Sequence, residues 1–213
     1  MADLDHLALL EVELAAMAAA LRTADLDAPV PACPGWQVRS VAMHLIGVHR
    51  WVTGSLNGSG EPGVFDDTQD ADDPVAGYQA ASSEMLARLK ELPPDAPVWT
   101  FDKHDQTTAF WRRRQLHEVS VHRFDVEPYV LDAAVAADGI DEVLDFFLPR
   151  QVASGRTELP EGTLRLIGPD RVWDFGSGRP VQNAQGTTSD LLLGLWGRAE
   201  LDLGAWGGAR LTP

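Results

Sequence analysis

The sequence predicts a mainly α-helical protein in which a four-helix bundle is followed by a small α+β domain. Two features of its patterning predict this. Apolar residues recur every three or four positions in four successive N-terminal stretches, and Pro- and Gly-rich breaks separate those stretches. Towards the C-terminus, short alternating segments appear between two further helical ones. The expected division is residues 1–134 for the bundle and 135–213 for the α+β domain.

The first helix is expected over 4–22, where Leu4, Leu7, Leu10, Leu14, Met17 and Leu21 form one apolar face. "PVPACPGW" ends it, because prolines and glycine cannot continue a helix. A second helix runs from Gln37 to about Leu56, with Val41, His44, Leu45, Val48 and Val52 on one side. Residues 57–74 hold Gly, Pro and six acidic side chains without periodicity, and read as a long mobile loop that could serve as a lid. The third helix, 74–91, places Tyr78, Met85, Leu86 and Leu89 together, and the fourth is expected over 108–133. Beyond it, "GIDEVLDFFLPRQV" reads as a short helix. "TLRLI" and "VWDF" flank the turn "GPDR" as a hairpin, "TSDLLLGLWGR" as a helix, and "LDLGAW" as a last strand.

Composition narrows the function. The 213 residues and 45% hydrophobic content supply an ordinary core. With 32 acidic against 17 basic side chains the formal charge is -15, which repels phosphate backbones and anionic lipids and argues against nucleic acid as a partner. The N-terminus lacks the basic end and unbroken apolar run of a signal peptide, and no segment has the ~20 apolar residues of a membrane helix. A soluble, cytoplasmic protein is expected. Cys33 is the single cysteine, so an internal disulfide and a Cys-rich zinc site are excluded, and thiol chemistry would need a thiol from outside.

The stretch "RRRQLHEVSVHRFD" (112–125) looks at first like the HExxH helix of a zinc protease. At about 100° per residue, His117 and His122 are about 140° apart and cannot share one ion. Glu118 and His122, four apart, fall within about 40° of each other, with Trp111 and Asp125 on the same face. Such a pair can supply two metal ligands from one helix, or form an ordinary exposed ion pair. His44, inside the apolar stripe of the second helix, is the natural third ligand; the alternative is a hydrogen-bonded core histidine. His49 is five positions on from His44 and faces elsewhere, and His6, His104 and His117 read as surface or loop residues. Two imidazoles and a carboxylate are a familiar donor set for a catalytic Zn²⁺ with an open fourth position. Asp125 is placed either to orient His122 or to pair with Arg114 or Arg123. Arg112, Arg113 and Arg114 are candidates to meet an anionic ligand, with surface pairing to carboxylates as the alternative. Trp36, Trp51 and Trp111 are placed either to line a pocket or to fill the core.

"CPGWQVRSVAMHLIGVHRW" (33–51) and "FWRRRQLHEVSVHRFDVE" (110–127) resemble the two signature segments of the mycothiol-dependent maleylpyruvate isomerase family, within the DinB-like superfamily. "AADGIDEVLDFFLPR" and "SDLLLGLWGR" resemble its C-terminal domain, so the likeness spans nearly the whole chain. The resemblance implies a DinB-like bundle with zinc or another divalent metal in its core, and its ligands fall on His44, Glu118 and His122. It implies an enzyme that uses the small thiol mycothiol as nucleophile on a small electrophile, giving cis-trans isomerisation or S-transfer. A monomer or homodimer is expected. Where the family often has Thr and an acidic residue at the start of the second helix, Gln37 and Ser40 stand, which predicts a weaker cap. Two other functions suit the same residues: a hydrolase with metal-activated water, and a non-catalytic metal- or ligand-binding protein.

Overall fold

The protein is described here by a computed structural model covering residues 4–58, 72–209 and 212. The chain divides into two compact units, Met1–Tyr129 and Val130–Pro213. The expected loop over 57–74 lies for the most part outside the described residues.

The N-terminal unit is built from four helices, α1 (His6–Thr23), α2 (Val38–Asn57), α3 (Pro74–Glu91) and α4 (Thr108–Val126). Asp5 caps α1 by accepting from the Ala8 N–H, and Asp73 caps α3 by accepting from Val75 and Ala76, with Pro74 at the first helical position. At the start of α2 the Gln37 N–H donates to Ser40 Oγ at 3.2 Å, so this polar pair does close the helix end. The fourth helix is shorter than expected and stops at Val126, not 133. Pro128 is the reason: the residue before a proline avoids the helical region, and Glu127 is extended.

α1 packs on α3 and α4, and α2 on the same two. His44 meets Glu118 and Trp51 meets Trp111, so α2 and α4 run antiparallel. His49 meets Tyr78, and Arg88 donates to the Leu56 carbonyl, so α2 and α3 run parallel. The loops that enter α2 and α4 are alike, each closed by an isolated antiparallel bridge, Pro29 to Gln37 and Pro97 to Thr107. These bridges fix where the two helices begin. Leu10, Met17, Leu45, Ile46, Val52, Tyr78, Met85, Leu89, Trp111 and Leu116 are completely buried between the helices. Each such side chain contributes about 1.5–3 kcal/mol.

α4 also buries Arg114, Gln115, His117, Ser120 and His122. This corrects the surface reading of His117, which is 1% exposed. A helix packed by both α1 and α2 has little face left for water, whatever its composition.

The C-terminal unit contains α5 (Ala133–Glu142), a π-helical turn (Val143–Phe147) and α6 (Leu148–Ala153), running on without a break. Asp132 caps α5 by accepting from Ala134 and Val135, so the helix begins before the expected "GIDEV". β1 (Gly162–Ile167) and β2 (Val172–Ser177) form the expected antiparallel hairpin, with Arg165 opposite Asp174 and Leu166 opposite Trp173. A third strand, β3 (Val181–Gln185), pairs parallel to β1 and gives the order β2-β1-β3. α7 (Thr188–Leu195) packs on α5. The expected last strand "LDLGAW" is not a strand. Gly204 takes a left-handed φ of 50°, and a 3-10 turn over Gly204–Gly208 follows. Among the described residues no helix is long and apolar enough to cross a membrane.

His49 is fully buried against Tyr78, and neither ring nitrogen has a hydrogen-bond partner among the described residues. Burial is the main cause that pushes its pKa down from 6.5 to about 3. In the unfolded chain the ring protonates near 6.5, so between about 6.5 and 3 the unfolded state binds the extra proton. This contribution to stability is complete above about pH 6.5 and is lost as pH falls, at up to ~1.4 kcal/mol per pH unit. His49→Phe is expected to flatten the pH dependence of the melting temperature in that window. An unchanged acid profile would contradict it.

Candidate metal centre

α2 and α4 present polar side chains to each other along one seam. His44 and Trp51 lie seven residues apart on α2, and Glu118 and Trp111 seven apart on α4, a rise of about 10.5 Å on each helix. At one end of the seam Trp51, Trp99, Phe101, Phe110 and Trp111 form an aromatic cluster. The Trp111 indole N–H donates to the Trp99 carbonyl at 2.8 Å, which ties α4 to its own entry loop. This end resolves the alternatives for Trp51 and Trp111 in favour of packing.

At the other end the three expected ligands converge. One donor atom from each of His44, Glu118 and His122 lies within 4.8 Å of the others. Glu118 Oε1 is 3.0 Å from His44 Nε2 and 3.6 Å from His122 Nε2. The second oxygen, Oε2, accepts from Arg114 Nη2 at 2.7 Å. Burial pushes the Glu118 carboxyl up, but the hydrogen bond with His44 and the charges of Arg114, His122 and His44 outweigh it and hold the group well below the usual carboxylate range. It is an anion at neutral pH.

The far side of His122 is held as well. His122 Nδ1 is 2.9 Å from Asp125 Oδ2, a contact that orients the ring with Nε2 toward Glu118. Asp125 thus sits against His122, one of the two placements expected for it. Arg123 pairs instead with Glu13 at 3.0 Å and lies over the Tyr129 ring. Arg112 caps α3 by donating to the Leu89 and Leu92 carbonyls.

Sequence reasoning missed how closely the loop before α2 covers the trio. Gly35 takes a left-handed φ of 85°, and the Val30 N–H donates to the Trp36 carbonyl, so the chain reverses tightly at "CPGW". That reversal stacks Trp36 parallel to His122 at 6.2 Å and sets it 5.3 Å from His44. Cys33 Sγ lies 3.9 Å from Asp125 Oδ2. The buried role of Arg114 was missed too. Its signal was there, since Arg114 and Glu118 are four apart on one helix.

The donor set suits a divalent cation: two imidazole nitrogens and one ionised carboxylate oxygen, with Glu118 and His122 each backed by a further side chain. His44 and Glu118 side chains keep 23% and 17% exposure, so the trio is reachable from outside the bundle.

Residues 7–127 match the family described as mycothiol maleylpyruvate isomerase N-terminal domain, and residues 134–213 match its MDMPI C-terminal domain. Among solved structures the chain is similar to the crystal structure of the mycothiol-dependent maleylpyruvate isomerase and to that of a His-to-Ala variant of that enzyme. Each likeness has 12% identity and a TM-score of 0.71, covering 92% of this chain and 90% of that chain. At that identity the likeness shows the fold, a helical bundle with a small α+β part. No curated protein is significantly similar to the chain in sequence.

Glu118→Ala and His122→Ala are each expected to abolish stoichiometric metal uptake, read by elemental analysis of the purified protein. Asp125→Ala is expected to weaken metal affinity by roughly 10- to 100-fold, the usual cost of removing the partner of a ligating histidine. Unchanged metal content in the first two variants would sink the ligand assignment.

Proposed function

The chain belongs to the mycothiol maleylpyruvate isomerase family, and on that premise we propose that it is a zinc-dependent enzyme that uses mycothiol, or a closely related small thiol, as nucleophile. The observation that carries the reading is the convergence of His44, Glu118 and His122 on one point, with Glu118 and His122 each held from behind by a further side chain. These three residues would hold the cation. A divalent ion there lowers the proton affinity of a thiol and keeps it as the reactive thiolate at neutral pH. The thiol supplies the nucleophile for reversible addition to an activated double bond, hence cis-trans isomerisation, or for displacement of a leaving group, hence S-transfer.

The chain's own residues do the positioning. Asp125 orients the His122 ring, and Trp36 lies against both imidazoles and restricts how water and ligands approach them. The partners are a small thiol and a small electrophile; the protein acts in the cytoplasm as a monomer or homodimer.

The test supplies the metal-loaded protein with mycothiol and an activated alkene or alkyl halide and follows adduct and isomer by mass spectrometry. Turnover that requires both thiol and metal is expected. Turnover in water without thiol would favour a hydrolase, and stoichiometric metal with no turnover on any electrophile would favour a binding protein.

A further inference from the structure

Glu118 has two oxygens, and they have different surroundings. Oε1 faces both imidazoles, at 3.0 and 3.6 Å, whereas Oε2 is held by Arg114 at 2.7 Å. Arg114 is 3% exposed, one helical turn before Glu118 on α4. A guanidinium placed that deep is unfavourable unless it is paired, so its place beside a ligand needs a reason.

We propose that Arg114 is a positioning residue that restricts Glu118 to a single ligating oxygen and so keeps a coordination position free for the incoming thiol. The inference rests on the metal reading above. A carboxylate with both oxygens free can grip an ion through both, which raises the protein's own ligand count from three to four. A charge-assisted hydrogen bond of about 2.7–2.9 Å is among the strongest available to a carboxylate oxygen, and it competes for Oε2. Arg114 also offsets the charge of Glu118. The cation is then left with its full positive charge to attract an anionic sulfur.

This role predicts a change of unusual sign. A merely structural arginine, once removed, would loosen the site and weaken metal binding. If Arg114 restrains Glu118, its removal frees Oε2 and takes away a like charge, so metal binding tightens while thiol binding weakens.

The experiment compares wild type, Arg114→Met and Arg114→Lys, each loaded with Co²⁺, by visible absorption, chelator competition and titration with mycothiol. Wild type is expected to give the intense bands of a four-coordinate ion. Arg114→Met is expected to give the weaker bands of a higher-coordinate ion, with metal affinity up by roughly 10-fold and thiol affinity down by at least as much, a scale typical of groups that back a ligand. Arg114→Lys keeps the charge and one donor, and should restore both toward wild type. If Arg114→Met does not fold, Arg114→Gln, which keeps an N–H donor without the charge, replaces it in the comparison. Equal or weaker metal affinity with an unchanged spectrum overturns the inference and leaves the metal reading intact. A wild-type protein that takes up no Co²⁺, or one whose uptake survives Glu118→Ala, overturns both.

Discussion

An ionised carboxylate held between two helices has to be matched by positive charge and hydrogen bonds, and Glu118 is such a group. Arg114 meets one oxygen, and the two imidazoles of His44 and His122 meet the other. The antiparallel pairing of α2 and α4 follows from the same seam: a shift of one turn in either helix would separate His44 from Glu118 and leave the charge buried without its partners. The aromatic cluster at the far end, with Trp51 against Trp111 at 5.2 Å, sets the same register through packing. Polar and apolar contacts thus select one alignment of the helices.

That seam ties the fold to its chemistry. Trp111 fixes α4 to its entry loop, the bridge from Pro29 to Gln37 fixes the start of α2, and the reversal at Gly35 lays Trp36 across the imidazoles. The site is therefore assembled from rigid helices and one tightly closed loop, which suits a centre that must hold donors within tenths of an ångström. His49 lies on another face of α2, fully buried against Tyr78, and its ring nitrogens have no hydrogen-bond partner among the described residues.

Much of this was legible in the sequence, and for definite reasons. The angle between positions four apart on a helix selects Glu118 with His122 and rejects His117, and the apolar stripe around His44 marks a histidine facing inward. The third helix begins at Pro74, where it was expected, and Asp73 caps it. What was missed depends on contacts between distant segments. β3, "VQNAQ", is mostly exposed and polar, so no alternation announces it; its pairing to β1 defines it. "LDLGAW" does alternate, but Gly204 turns the chain away. His117 read as a surface or loop residue and Arg114 as a candidate for an anionic ligand or a surface ion pair, and the packing of α1 and α2 around α4 takes both from water.

X-ray absorption at the zinc edge, on the protein with and without mycothiol, tests the central claim most directly. One zinc per chain is expected, bound to two imidazoles and one carboxylate oxygen, with a single sulfur at ~2.3 Å entering its coordination when the thiol is added. A coordination sphere that contains no imidazole, or that stays free of sulfur at saturating thiol, would contradict that claim.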